Sequence, residues 1–421
     1  MFLKNRQQII DNGQTSELKQ KREDAVEILN AAIQAVDPYN AVKNKIKDST
    51  IICNDKTVDL TCFDCIYVVG FGKASVGMAQ AICDNFVVDS GVVITNDSSA
   101  VITQKNIEVI VGSHPIPDTQ SIRGTEKIIE IAKKCTNRDL LIVLISGGGS
   151  ALLCKPRVPL DDLQKTTDLL LRCGATINEI NTIRKHLSYV KGGQLLTYTQ
   201  SKVVSLVISD IVHDPLEFIA SGPTYPDSTT FTDSMKILQH YKLLPNLPLS
   251  VKQVIDKGVK KEISETPKPN NPLFDNVFHC IIANNLLACT AAETQAKKMG
   301  YQTILLTSSL TGEAKKIGNY LIDKATSYES LEHQIVFISG GETTVTVTGS
   351  GRGGRNQEMV LGAVEHISQS SIVFGSIGTD GIDGRSDAAG AIADGFTLQR
   401  AKEKNLDLNS FLKDNNSYMF F

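Results

Sequence analysis

Residues Ile335 to Glu358 read IVFISGGETTVTVTGSGRGGRNQE. The opening Ile335-Val336-Phe337-Ile338 is an apolar run of the kind a buried strand requires, and it stops at Gly340-Gly341 with Glu342 delivered at the break. Thr343 to Val347 alternates as a second strand would, and a glycine-rich turn carrying Arg352 and Arg355 follows. Far upstream, Leu140 to Ser150 (LLIVLISGGGS) repeats the opening. Two strands that each stop at Ser-Gly-Gly predict two α/β units, each with a bare backbone loop at a strand's carboxyl end. Open α/β sheets bind their ligands there.

The rest of the composition sets limits. A chain of 421 residues exceeds one compact core and suits two domains. Hydrophobic content of 41% and charged content of 21% are ordinary for a globular protein. A net charge of −3 gives no reason to expect a nucleic-acid or anionic-membrane partner. No apolar run approaches the ~20 residues of a membrane span. The N-terminus lacks the apolar centre of a secretory signal, so a cytoplasmic location is expected, with a mitochondrial presequence as the alternative. Nine scattered cysteines suit a reducing compartment. Cys62 and Cys65 form a lone CxxC before a strand, with no second pair to complete a zinc site, and read as coincidence.

Around the two Ser-Gly-Gly stretches the spacing alternates between strand and helix. Lys19 to Ala35 carries Ala25, Ile28, Leu29, Ala32 and Ile33 at helical spacing. Strands are expected at Ile66–Val69, Val92–Thr95, Ile107–Val111, Leu140–Ile145 and Val203–Ile208, with helices from Ser75, over Ser121–Lys134 and Leu160–Cys173, and along the Ile177 to Val190 stripe. The alternation restarts with a strand at Val277–Ala283, a helix at Leu286–Lys298 and a strand at Gln302–Leu306. The expected division is an N-terminal α/β domain at 1–262, a proline-bearing linker at 263–274 and a smaller α/β domain at 275–421.

Several strand ends carry chemistry. Val69 leads into Gly70-Phe71-Gly72-Lys73-Ala74-Ser75, a strand, a glycine turn and a helix start, where backbone N–H groups and the helix dipole favour an anion. Three glycines in series, Gly147-Gly148-Gly149 between Ser146 and Ser150, cost conformational entropy that a plain turn avoids, which points to an anion or nucleotide against the backbone. Arg184, Lys185 and His186 sit together off an apolar stripe, a solvated face or a ligand contact. Asp210 leaves a buried strand and suits metal or general-base work, with an Asx turn as the structural alternative. His114 lies in Ser113-His114-Pro115-Ile116-Pro117-Asp118, which reads as a rigid connector, with a cleft-lining loop as the functional alternative. Asp380, Asp383 and Asp387 share a glycine-rich loop without EF-hand spacing, pointing to metal or substrate, or else to Asx turns.

Glycine loops, a lysine, an arginine and strand-end carboxylates are the parts phosphoryl transfer needs. The residues alone define a two-domain α/β enzyme acting on a phosphorylated or anionic small molecule. GFGKAS, SHPIPD, LISGGGSALL, NTIRKHLSYVKGGQL, SDIVHDPLEFIASGPT, SGGETTVTVTGSGRGGRNQE and GTDGIDGRSDAAGA follow one another in this order. Together they resemble the glycerate 2-kinase family with a C-terminal MOFRL domain, from about Arg22 to the end. The resemblance implies a Rossmann-like N-terminal domain, a smaller α/β C-terminal domain and an active site in the cleft between them. It implies ATP-dependent phosphorylation of D-glycerate to 2-phosphoglycerate with Mg²⁺. A small-molecule substrate is the expected partner, and a homodimer is compatible with it.

By the same resemblance Lys73 and Arg355 are the cations at the transferring phosphate, and Asp210, Glu342 and Asp380 are the acidic positions, base and metal ligand being undivided among them. Gly72, Ser146, Gly147, Gly148, Gly149, Ser150, Arg184, Lys185, Gly340, Gly341 and Asn356 are the expected nucleotide, phosphate or substrate contacts. Asp210, Asp380 and Asp383 are the expected metal ligands. The chain departs from the family twice. Gly384-Arg385-Ser386-Asp387 stands where Gly-Pro-Thr is common, and the usual Gly-Pro-Thr-Gly-Thr-Asn segment does not follow Asn416-Ser417-Tyr418. The second departure makes a catalytically impaired nucleotide- or glycerate-binding homologue the alternative.

Overall fold

The computed structural model describes residues 3–53, 56–328 and 334–421. Residues 38–283 form one compact unit, and the segment up to residue 37 joins 284–421 to form the other.

In the 38–283 unit six strands lie side by side in the order Ile107–Val111, Ser90–Thr95, Ile66–Phe71, Leu140–Ile145, Lys202–Ile208 and Val277–Ala283, all parallel. Numbered along the chain, the order is 3-2-1-4-5-6, that of a doubly wound Rossmann sheet. A parallel strand covered on both faces must be apolar throughout, and every residue of Leu140–Ile145 is buried. The order reverses between Ile66–Phe71 and Leu140–Ile145, where Phe71 is paired with Ile145. Gly72 and Ser146 therefore leave neighbouring strand ends together.

Two boundaries differ from the sequence expectation. Val277–Ala283, assigned there to the second domain, is the edge strand of the first sheet, in register with Val203–Ile208. An apolar run does not say which sheet it joins; pairing does. The expected 263–274 linker lies inside the first unit, where Thr266 is buried and donates to Asp227 Oδ2 at 2.9 Å. The N-terminal helix Ser16–Ala35 belongs to the other unit, because its buried Arg22 pairs with buried Asp394 at 2.6 Å. Ile28 of the same helix packs with Cys289, Ala292, Ala296 and Ile338.

That second unit carries a parallel pair, Gln302–Leu310 with Ile335–Gly341, and an antiparallel pair, Val373–Ile377 with Gly390–Asp394. Helices Asn285–Lys298, Ala314–Thr326 and Arg355–Ala363 accompany them, the last two sharing a core of Ile322, Val360, Leu361 and Ala363. The strand expected over Thr343–Val347 does not form. Beyond one bridge between Glu313 and Thr344, the segment runs as a loop. Among the described residues no helix is long and apolar enough to cross a membrane.

Candidate active site

Lys73, Gly147 and Asp210 follow three adjacent strands of the 38–283 sheet. Lys73 N donates to Gly147 O at 2.9 Å and Ala74 N to Ser146 Oγ at 3.1 Å, joining the two loops across the point where strand order reverses. At Gly147 a Cβ would run into the carboxylate of Asp210. At Gly148, held at a left-handed φ of 82°, a Cβ would lie 3.1 Å from His114 Cδ2 and 3.4 Å from Lys73 Cγ. The glycines thus form a bare floor, with exposed Lys73, Asp210 and His114 against it. His114, whose segment reads as a connector or a cleft-lining loop, joins the group.

The loop is braced from behind by residues that lie within the quoted motifs but to which the sequence gave no role. Ser150 Oγ lies 2.9 Å from Ser221 Oγ, which reaches Asn181 Oδ1 at 3.2 Å. Ala220 and Ser221 hold φ of 50° and 63°, values costing a non-glycine residue about 1–2 kcal/mol each. Lys191 Nζ donates to Ser150 O and Leu153 O, both at 2.7 Å. Left-handed backbone and contacts across 30 to 70 residues leave no local signature, so spacing could not reveal them.

Burial drives the Lys191 amine down to about 8 from 10.5. Between those values the unfolded chain holds a proton that the folded chain has released, so stability from this site rises with pH across that window. Wild type is expected to gain on the order of 1–3 kcal/mol over Lys191→Met between pH 8 and 10, at 1.36 kcal/mol per unit. Urea unfolding at several pH values checks this; parallel curves for the two proteins would remove the assignment.

Arg184 and Lys185 separate. The Lys185 side chain is wholly buried and held by Glu217 Oε1 at 2.9 Å and Asp227 Oδ1 at 3.2 Å, so carboxylates of the chain take the place expected for a ligand anion. Successive helical residues point about 100° apart. Arg184, partly exposed, lies near Cys154 instead, with burial pulling its guanidinium down.

In the other unit, Arg355 Nη1 and Glu342 Oε1 pair at 2.6 Å, with both side chains 47% exposed. Asp383 takes another role than the expected metal ligand. Its Oδ1 accepts from Asn356 N and Nδ2 at 3.0 Å each, and its Oδ2 accepts from Gln357 N at 2.8 Å. A buried carboxylate with both oxygens capping a helix is withdrawn from a cation. The Asn356 side chain is likewise engaged, its Oδ1 accepting from Ser376 Oγ at 2.7 Å. Gly340 and Gly341 are closely packed, a Cβ on the first running into the Asn285 side chain and on the second into the Leu310 backbone. Asp380 stays exposed, with Ile382 N donating to its Oδ1 at 3.4 Å in the Asx-turn manner.

Among the described residues no three His, Cys, Asp or Glu side chains converge as a metal cage. Of the expected acids, Asp210 is exposed in one unit, and Asp380 and the Arg355-paired Glu342 are exposed in the other. Mg²⁺ suits such donors, since it keeps several waters and is usually bound by one or two carboxylates together with substrate phosphates.

Fold and site define an α/β protein of the doubly wound class, with a lysine, a glycine loop and a carboxylate at its switch point. Residues 24–256 match a family described as a domain of unknown function (DUF4147), and residues 335–421 match the MOFRL family. A glycerate 2-kinase of Pyrococcus horikoshii is 42% identical over 406 residues, spanning 94% of this chain and 91% of that protein. A D-glycerate 2-kinase of Thermotoga maritima is 37% identical over 404 residues, with the same 94% and 91% spans. The crystal structure of a glycerate kinase from Thermotoga maritima matches with a TM-score of 0.83 at 36% identity, covering 96% of this chain and 94% of that one. The chain belongs to the glycerate 2-kinase family with a C-terminal MOFRL domain.

Proposed function

We propose that this chain transfers the γ-phosphoryl group of ATP to the 2-hydroxyl of D-glycerate, giving 2-phosphoglycerate. The observation that carries the reading is the bare glycine floor at the switch point, flanked by Lys73 and Asp210. Phosphoryl transfer asks little covalent chemistry of a protein; it asks for in-line positioning and for cations where charge gathers. Lys73 and Arg355 supply the cations, and Glu342 orients Arg355. Gly72 and the Ser146–Ser150 loop take a phosphate or the glycerate carboxylate, with Arg184 as a further cation. Asp210 accepts the hydroxyl proton or, like Asp380, serves as a Mg²⁺ ligand. Mg²⁺, when bound, neutralises phosphate charge.

The test is a product-resolved assay of the purified chain with MgATP and D-glycerate. The expected product is 2-phosphoglycerate. Formation of 3-phosphoglycerate alone would overturn the regiochemistry. Thermal stabilisation by ATP or glycerate without any product would establish the binding-only homologue.

A further inference from the structure

The turn Gly349-Ser350-Gly351-Arg352-Gly353-Gly354 has the composition of a phosphate loop, yet its backbone donors from Gly349 to Arg352 are already engaged. Thr348 N and Gly349 N donate to Asn415 Oδ1 at 2.7 and 3.0 Å. Ser350 N donates to Asp414 Oδ1 at 2.9 Å, Gly351 N to Asp414 O at 2.9 Å, and Arg352 N to Asn416 Oδ1 at 3.0 Å. Five consecutive amides thus belong to one short segment of the same chain, whereas an anion-binding concavity needs amides aimed at the ligand. The helix start that follows is occupied as well, by Asp383.

The glycines have another cause. A Cβ at Gly349 would run into the Asp414 backbone, and one at Gly351 into Asn416 Cβ, so the small residues let the 414–416 segment lie against the turn. Tyr418 extends the contact: its N–H donates to Arg352 O at 3.0 Å, and the Arg352 guanidinium lies 4.7 Å from the centre of its ring. The buried Asn415 side chain connects this turn to the helix that Arg355 begins. Its Nδ2 donates to Thr346 O at 3.3 Å and to Oε2 of buried Glu358, one helical turn after Arg355, at 3.1 Å.

We infer that the 348–354 turn is an arginine mount rather than an anion cradle, and that Asn415 is the positioning residue that sets Arg355 through it. The role given to Arg355 rests on the kinase reading; the occupancy of the amides does not. A shift of about 1 Å in a catalytic group costs up to about 100-fold in rate, so one amide side chain spanning turn and helix has leverage over turnover.

Asn415 has φ of 53°, which glycine adopts without strain, so Asn415→Gly removes the side chain and keeps the backbone. Two measurements on the full chain test the inference. In hydrogen exchange, the amides of residues 348–352 are expected to be protected without ligand, and those of Thr348 and Gly349 to lose protection in Asn415→Gly. Protection that appears only on adding MgATP or D-glycerate would overturn the inference, because a ligand would then be holding those amides. In the kinase assay, Asn415→Gly is expected to lower kcat by about 10- to 100-fold with KM for ATP unchanged, and to cause no further loss in an Arg355→Ala background. An equal loss in both backgrounds, or none in either, would overturn the positioning role. Should the wild-type chain yield no 2-phosphoglycerate, the kinase reading falls, and the exchange experiment alone decides the inference.

Discussion

Arg355→Ala is expected to lower kcat by about 10³- to 10⁵-fold, the range for removing an arginine that meets the transferring phosphoryl group, and Lys73→Ala is expected to fall at least toward its lower end. Neither change should unfold the protein. The Arg355–Glu342 pair has 47% of each side chain exposed, and exposed pairs contribute about 0–1 kcal/mol. Lys73 is exposed and meets the glycine loop through its backbone N–H, which alanine retains. Lys73→Arg should not restore full activity, since the broader planar guanidinium changes the donor geometry beside Gly148. Steady-state kinetics beside thermal melts make the check, with the loss in kcat and the melting temperature within a few degrees of wild type. Unchanged turnover in both alanine variants would remove these roles from Lys73 and Arg355.

The second large effect is on stability and lies away from the chemistry. Asp394 Oδ2 accepts from Arg22 Nε at 2.6 Å, while its Oδ1 accepts from Phe396 N at 3.0 Å and Arg400 Nη2 at 3.1 Å. Asp394→Ala leaves the Arg22 charge buried without its partner, which costs about 3–5 kcal/mol, a large part of a total of about 5–15 kcal/mol. The N-terminal helix should then loosen from the 284–421 segment. Limited proteolysis should cut within residues 16–35 in the variant before wild type, and urea should unfold it at lower concentration. Coincident urea curves would show that the pair does not hold the helix.

Acid pH should reproduce part of this effect. Burial opposes ionisation of Asp394, but the charge and hydrogen bond of Arg22 outweigh it, and the carboxyl titrates below its usual range. A depressed folded value means the pair stabilises the protein above the ordinary carboxylate range of about 4, and that this contribution is lost as pH falls through the folded value. Wild type and Asp394→Ala should therefore differ most near neutrality and converge in acid.

Much of the candidate site was legible because its markers are local. A six-residue apolar run that stops at three glycines reads as a buried strand and a bare loop wherever it is placed, and Leu140–Ile145 is such a strand. Lys73 and Asp210 stand just past apolar runs, and in a parallel sheet the ends of neighbouring strands share one edge. Lys185 lies elsewhere than its spacing suggests, for an equally physical reason. Its position off an apolar stripe looked solvent-facing, but Glu217 and Asp227, 32 and 42 residues away, bury it as a paired charge.

Sequence alone determined the α/β class, most of the strands and helices, and the strand-end positions of Lys73, Gly147–Gly149, Asp210 and Glu342, because hydrophobic period and glycine punctuation are local properties. Tertiary structure decided what those elements join. It gave Val277–Ala283 to the first sheet and Ser16–Ala35 to the second unit, through hydrogen-bond register in one case and a buried ion pair in the other. It also decided what the second glycine run is for. The turn between Ile335 and Glu358 has the composition of a phosphate loop, but composition does not say where an amide's partner lies. Here the partners lie about 65 residues downstream, in Asp414, Asn415 and Asn416.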